Sequence, residues 1–284
     1  MVPYDRRMNS AARERVFAAL LKYWRGHRGM SQLDLSLAAE VSARHISFLE
    51  TGRSNPSPEM VVVLAEALDI PMRDTNELLR AAGFASRYAE PSLDELLSGP
   101  LGMAVTTMFD HHEPFPMMVV DRLYNVVRTN QGGLRLFTIA GVDLGASGTI
   151  ASEAGAIGPV NVLRLLFDPA RRDMIGDWPQ AASTMLRRLQ REAFHRPHDA
   201  ALAELLDDLI NAPGVPADWR QPDPTVRDEP MLGIELRAGD ISMNFLTTIT
   251  EFNAPQNVTL AELRIESYFP TDDQTRELCT QLLG

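Results

Sequence analysis

Along the first third of the chain the apolar positions recur at helical spacing, interrupted by glycine, proline and small hydroxyl residues. Val16, Leu20, Tyr23 and Trp24 give a helix over residues 11–28 one apolar face, and Gly26 with Gly29 ends it. Ser31 has the chemistry of an N-cap for a short second helix, with Leu33 and Leu37 facing inward four residues apart. After a turn at Glu40-Val41, Ser42 caps a third helix in which Ile46 and Leu49 point to the core while Ala43, Arg44, Ser47 and Phe48 face elsewhere. Gly52 suits a positive φ just past its end. Ser57 and Pro58 open a fourth helix bearing Met60, Val63, Leu64, Ala67 and Leu68. A fifth runs from Pro71 to Ala82 around Leu78 and Leu79 and stops at Gly83.

The pattern then changes. A polar stretch from Ser86 to Ser98, containing Pro91, marks a boundary near residue 90, so the chain divides into a helical domain over 1–85, a linker over 86–98 and a second domain over 99–284. Leu93 to Phe109 keeps a helical pattern apart from a break at Gly99-Pro100. Met117–Asp121 and Leu123–Arg128 read as two strands around a tight turn, and Asn130 is placed to cap a helix through Leu134–Phe137. Ile234–Arg237, Ile241–Thr250 and Val258–Phe269 read as three further strands of an antiparallel sheet. Between them, Trp178, Ala182, Met185, Leu186 and Leu189 form one stripe on a helix over Trp178–Phe194, expected to pack on the sheet. The fold class is two-domain α+β.

A length of 284 residues fits two domains with a core each, and 45% hydrophobic with 23% charged residues is a globular balance. Neither a secretory leader nor an apolar run of bilayer length is visible, and the single Cys279 has no companion thiol. A cytoplasmic protein without membrane contact is expected, with Cys279 a small buried apolar residue. The net charge of −11 argues at first against a polyanionic partner. Within residues 1–55, however, nine basic side chains stand against five acids, so the negative excess lies entirely on the rest of the chain. That asymmetry suits a small basic DNA reader joined to an acidic body.

Ser31-Gln32, Leu37-Ala38, Val41-Ser42, Ile46, Leu49-Glu50, Gly52-Arg53, Pro58 and the Leu64–Leu68 helix together resemble the lambda-repressor-like, or Xre-type, helix-turn-helix family over residues 10–83. The resemblance implies an all-α five-helix domain that binds a double-stranded DNA operator, with Gln32 near a phosphate and Ser42, Ala43, Arg44, His45 and Ser47 of the third helix approaching bases and backbone. Arg44 is the candidate for direct readout, because a guanidinium bonds O6 and N7 of guanine together. Arg53, beyond the reading helix, suits a phosphate contact that adds affinity without sequence choice. His45 either donates to phosphate or covers the helix surface. One reading helix touches few bases, so a homodimer spanning two half-sites about 34 Å apart is expected.

The strand–turn–strand–Asn–helix order resembles the opening of a PAS-type domain. Closer still, His112-Glu113-Pro114-Phe115-Pro116, Val120-Asp121-Arg122, Asn130, Asn161–Leu165, Trp178, Arg187-Arg188-Leu189, Pro213-Gly214-Val215 with Trp219, and Leu260–Ser267 resemble the MmyB-like regulators. Two departures are Phe167-Asp168-Pro169, where relatives often carry His-Pro, and Gly132-Gly133 in place of small alanines. The resemblance implies a PAS-like α+β domain that holds a small, largely apolar effector, such as a fatty acid, between sheet and helices. Met117, Val119, Phe137, Leu163, Leu166, Phe167, Met185, Met243 and Phe245 either surround that ligand or are plain core. Asn130, Asn161, Arg164 and Arg188 either orient its carboxylate or hydroxyl or are structural hydrogen bonders. A second domain serving only dimerisation or protein contact remains the alternative.

Enzyme signatures are not found. His111-His112 and His195 with His198 lack an HExxH or CxxC setting, so neither metal nor catalytic residues are expected. Gly141, Gly145 and Gly148 form a glycine-rich connection without the phosphate-cradling GKS/T ending, and there is no GxSxG elbow. No cofactor is expected beyond the small effector.

Overall fold

The computed structural model describes residues 10–142, 160–221, 232–252 and 256–283. Gly145 and Gly148 of the glycine-rich connection lie outside them. The chain forms two compact units, Met1–Pro91 with Ala254–Val258, and Ser92–Asn253 with Thr259–Gly284.

The first unit contains α1 (Ser10–His27), α2 (Gln32–Ala38), α3 (Ala43–Glu50), α4 (Pro58–Ala67) and α5 (Met72–Ala81). Hydroxyl caps set the start of three of them: Ser31, Ser42 and Ser57 accept from the backbone N–H groups of Asp34, His45 and Met60. The core gathers Phe17, Leu21 and Trp24 of α1, Leu35 of α2, Ile46 and Leu49 of α3, Val61 and Leu64 of α4, and Leu78 and Leu79 of α5. Gly52 takes its expected positive φ of 67°. Buried Asn76 accepts from the N–H groups of Arg87 and Tyr88 and donates to Tyr88 O, which holds the chain beyond Gly83 against α5.

Helix α2 corrects the expected phase. Leu33 and Leu37 are 60% and 71% exposed, while Leu35 and Ala39 are buried. Gln32, Leu35, Ser36 and Ala39 share one helical face, and Gln32 on that face donates to Glu50 Oε2 at 2.8 Å, so the turn of the helix is set by a polar tie as well as by apolar burial. Leucines at 33, 35 and 37 leave the apolar period of so short a helix ambiguous. Tyr23 and Val63, both expected on inward faces, are likewise exposed.

In the second unit α6 (Leu93–Leu97) and α7 (Pro100–His112) precede the hairpin β1 (Met117–Val120) and β2 (Val126–Thr129). Then come α8 (Gln131–Ile139), α9 (Val162–Phe167), α10 (Trp178–His195), α11 (Ala200–Ile210), β3 (Leu232–Ala238), β4 (Ile241–Glu251), α12 (Val258–Ala261), β5 (Arg264–Pro270) and α13 (Asp273–Leu278). The five strands form one antiparallel sheet in the order β2-β1-β5-β4-β3. The hairpin turn is built on Asp121, whose Oδ1 accepts from the N–H groups of Leu123 and Asn125, with Tyr124 at a φ of 63°.

One sheet face, with Met117, Val119, Val127 and Ile265, is covered by Val105 and Phe109 of α7 and by Leu93 and Leu97 of α6. The other, with Met118, Val120, Val126, Met243, Phe245 and Tyr268, meets Phe137 of α8 and the buried Cys279. Burial pushes the Cys279 thiol up to about 11, as suits an apolar filler.

The strand expected over Val258–Phe269 is a helical turn followed by a strand. Arg264 pairs with both Val120 and Glu251, the last residues of β1 and β4. Residues 259–263 have no ladder partner among the described residues, and two of them close local bonds instead, Glu262 N to Thr259 O and Leu263 N to Leu260 O. The α10 stripe is also corrected. Trp178, Ala182, Leu186 and Leu189 pack on Leu163 and Phe167 of α9, Leu202, Leu205 and Leu209 of α11, and Trp219, rather than on the sheet.

Candidate functional site

At the start of α3, Ser42 and Arg44 are exposed, with Ala43, His45 and Ser47 half-buried beside them, because Ile46 and Leu49 turn the opposite face into the core. The Arg44 guanidinium lies 5.2 Å from the Phe48 ring centroid. Neither Arg44 nor the exposed Arg53 makes an ion pair or side-chain hydrogen bond among the described residues. Gln32 is engaged. Its Nε2 donates to Glu50, which also receives Arg25 in a two-point ion pair, Nε to Oε1 at 2.5 Å and Nη2 to Oε2 at 3.0 Å. Burial pushes the Glu50 pKa up, but hydrogen bonds from Arg25 and Gln32 and the charge of Arg25 outweigh it and hold the carboxyl below its ordinary value. This tie joins α1, α2 and α3 and so orients the exposed face of α3.

In the second unit a cavity of about 280 Å³ lies between the sheet and the helices, close to the lower end of the roughly 300–1,000 Å³ found for small-molecule sites. Leu136, Phe137 and Ile139 of α8 and Val162, Leu163, Leu165 and Leu166 of α9 wall one side. Ala181, Met185 and Arg188 come from α10, and the sheet contributes Met118, Ile234, Leu236, Met243, Ile249, Glu266 and Tyr268. The lining is apolar apart from a few polar groups. Two of the arginines in the wall are engaged, Arg171 by Asp168 and Arg237 by Glu235.

Through Arg188 the cavity wall adjoins a buried charge network. Glu192 Oε1 accepts from Tyr124 Oη at 2.8 Å and from Arg188 Nε at 3.0 Å, while Oε2 lies 3.0 Å from Arg264 Nη2. Both guanidiniums flank the Tyr124 ring, at 5.8 Å for Arg188 and 5.2 Å for Arg264. Burial pushes the Glu192 pKa up, yet the charge and hydrogen bond of Arg264, with the bonds from Tyr124 and Arg188, leave it lowered. Glu266 shifts the other way. Burial raises its pKa, the charges of Arg188 and Arg264 offset this only in part, and Glu192 adds to the rise.

A family profile described as the MmyB-like transcription regulator ligand binding domain matches residues 101–282, and one described as helix-turn-helix matches residues 21–74. The chain belongs to the MmyB-like transcription regulators. No curated protein sequence matches it. A helix-turn-helix DNA-binding region followed by that ligand-binding domain makes the chain a ligand-regulated transcription regulator. Among the described residues no helix is long and apolar enough to cross a membrane, and no group of three or more histidine, cysteine or acidic side chains is arranged to hold a metal ion.

The cavity of this MmyB-like regulator brings together Phe137, Leu163, Leu166, Met185, Arg188 and Met243 from the sequence-expected ligand residues. The others lie elsewhere. Met117 and Val119 point to the α7 side of the sheet, because β1 is buried on both faces and its unbroken Met-Met-Val-Val run gives no alternation from which to read a face. Phe167 packs edge-on against Trp178, and Phe245 against Tyr268. Asn130 caps α8 while joining Met117 N and Phe115 O, and Asn161 caps α9 while donating to Leu123 O. Both asparagines are therefore structural hydrogen bonders. Arg164 is exposed and paired with Asp208 at 2.7 Å. The Gly132-Gly133 departure has a local cause: a Cβ on Gly132 would meet Pro114 O at 2.3 Å, and one on Gly133 would meet Thr129 Oγ1 at 2.1 Å.

The sequence reading missed Met118, Glu266 and Tyr268. The period-2 pattern Arg264, Glu266, Tyr268 was available, but an alternating strand reads its polar residues toward water, whereas here α10 covers that face.

Proposed function

We propose that this regulator binds operator DNA as a homodimer through the exposed start of α3, and that an aliphatic, fatty-acid-like effector in the second unit shifts its DNA affinity. The cavity between the antiparallel sheet and α8–α10 carries the reading, because its wall is mostly apolar with a small number of polar groups, among them Arg188, Glu266 and Tyr268. The sheet, with the N-terminal hairpin beside the C-terminal strand, supports a PAS-like ancestry for the domain. The basic excess in residues 1–55 supports the DNA role.

An effector moves DNA affinity only through its different affinities for two arrangements of the protein, and the coupling is reciprocal. Mass spectrometry of what the natively purified protein releases on denaturation identifies the effector. Titration of an operator selected from random DNA, with and without it, then reads the coupling. Unchanged operator affinity at saturation overturns the switch while leaving DNA binding in place. Release of no small molecule, with no uptake of added aliphatic compounds, leaves the second unit a dimerisation or protein-contact module.

For the reading helix, Arg44→Ala is expected to lose roughly 1–3 kcal/mol of discrimination at one base pair. Arg53→Ala is expected to weaken all sequences alike and to reduce the salt slope by about 1. Equal losses on specific and random DNA for Arg44→Ala would show that it grips only the backbone.

A further inference from the structure

Glu266 is a polar group of the cavity wall with no protein partner among the described residues. It is 8% exposed, lies on β5 among the lining residues, and makes no hydrogen bond or ion pair among the described residues. Arg188, across the cavity on α10, spends Nε on Glu192, while its two Nη groups make no hydrogen bond among the described residues. The two charges act on each other, yet no contact within 4.0 Å closes between them. The hydroxyl of Tyr268, the next residue on the same face of β5, also lacks a hydrogen bond among the described residues and lines the same cavity. A buried carboxylate left without a donor is costly, and such groups persist where a ligand completes them.

We infer that the cavity recognises, between β5 and α10, a head group that both donates and accepts, an amide or hydroxyl on an aliphatic chain, held with its donor on Glu266 and its acceptor on Arg188. This rests on the cavity being the effector site; it keeps the aliphatic chain of that reading and replaces the carboxylate head of a fatty acid. A bare carboxylate would satisfy Arg188 but would meet Glu266 only after that group takes up a proton, since two ionised carboxylates side by side repel. An ester would satisfy Arg188 and leave Glu266 unpaired. The primary amide fits both without a proton change, and Tyr268 stands beside it as a further donor.

Isothermal titration of the full chain with octanamide, methyl octanoate and octanoate tests this, because the chains match and only the head groups differ. Octanamide is expected to bind at least about tenfold more tightly than either of the others, since leaving a buried charged acceptor unpaired typically costs that much or more. Glu266→Met keeps the volume, removes the acceptor, and is expected to bring octanamide to within about threefold of the ester. The wild-type series decides the matter even if that variant does not fold. Octanoate binding tightest, or all three binding alike, overturns the head-group assignment and leaves the apolar effector site standing. Failure of all three to bind overturns both.

Discussion

Replacing Glu50 with alanine is expected to remove about 3–5 kcal/mol of stability from the helix-turn-helix unit, the usual cost of orphaning one partner of a buried ion pair. The Glu50 side chain is only 3% exposed and holds Arg25 at two points and Gln32 at a third. Its removal leaves the Arg25 side chain, 15% exposed, with Met30 O as its remaining hydrogen-bond acceptor. Hydrogen exchange of amides in α1 to α3 measures the loss unit by unit. Operator affinity should fall with it, since the tie sets the angle at which α3 leaves the bundle. Arg25→Met combined with Glu50→Leu should recover most of the stability, as replacing both partners by apolar groups often does. A loss under about 1 kcal/mol for the single change would place the pair among weak surface contacts.

Glu192→Ala is expected to have a comparable effect in the second unit, about 3–5 kcal/mol. The carboxylate is the shared partner of Arg188, Arg264 and the Tyr124 hydroxyl, and one nitrogen of Arg264, Nη1, is already buried without an acceptor. The pH dependence follows from the lowered pKa of Glu192: its stabilisation is full above the ordinary carboxylate value and is lost as pH falls through the lower folded value. Glu266, with its raised pKa, contributes with the opposite sign, favouring the fold below the ordinary value and losing that contribution as pH rises through its folded value. Urea unfolding between about pH 3 and 7 should therefore show a shallower acid limb in Glu192→Ala than in the parent chain. Parallel limbs would show that Glu192 is not held ionised by its neighbours.

What the sequence disclosed depended on how locally each feature is determined. Ser42 and Ile46 with Leu49 placed α3 correctly, since an N-cap and a three-residue apolar spacing need no knowledge of the partner. Asn130 was legible as a cap for the same reason. Leu33 and Leu37 were not, because the choice between them and Leu35 rests on where Glu50, 18 residues away from Gln32, sits in space. Met117 stayed open between ligand wall and plain core, because it lies on a strand that is apolar on both sides. Arg264 and Glu266 carried no sign that they would be buried beneath a helix, and the part Glu266 plays in the cavity wall was hidden for that reason. Boundaries failed where partners end: β5 begins at Arg264 because β1 and β4 stop opposite it.

Arg188 serves two neighbours at once, with Nε on the Glu192 carboxylate and its side chain in the cavity wall. Any descendant that changes this residue to accept a different effector also disturbs the anchorage of Tyr124 and Arg264, so new chemical preference and structural robustness cannot drift apart at this position. Diversification of what the domain senses is thereby channelled toward the aliphatic wall, where the half-buried Met185 reshapes the chamber at less structural cost than the core residue Met243.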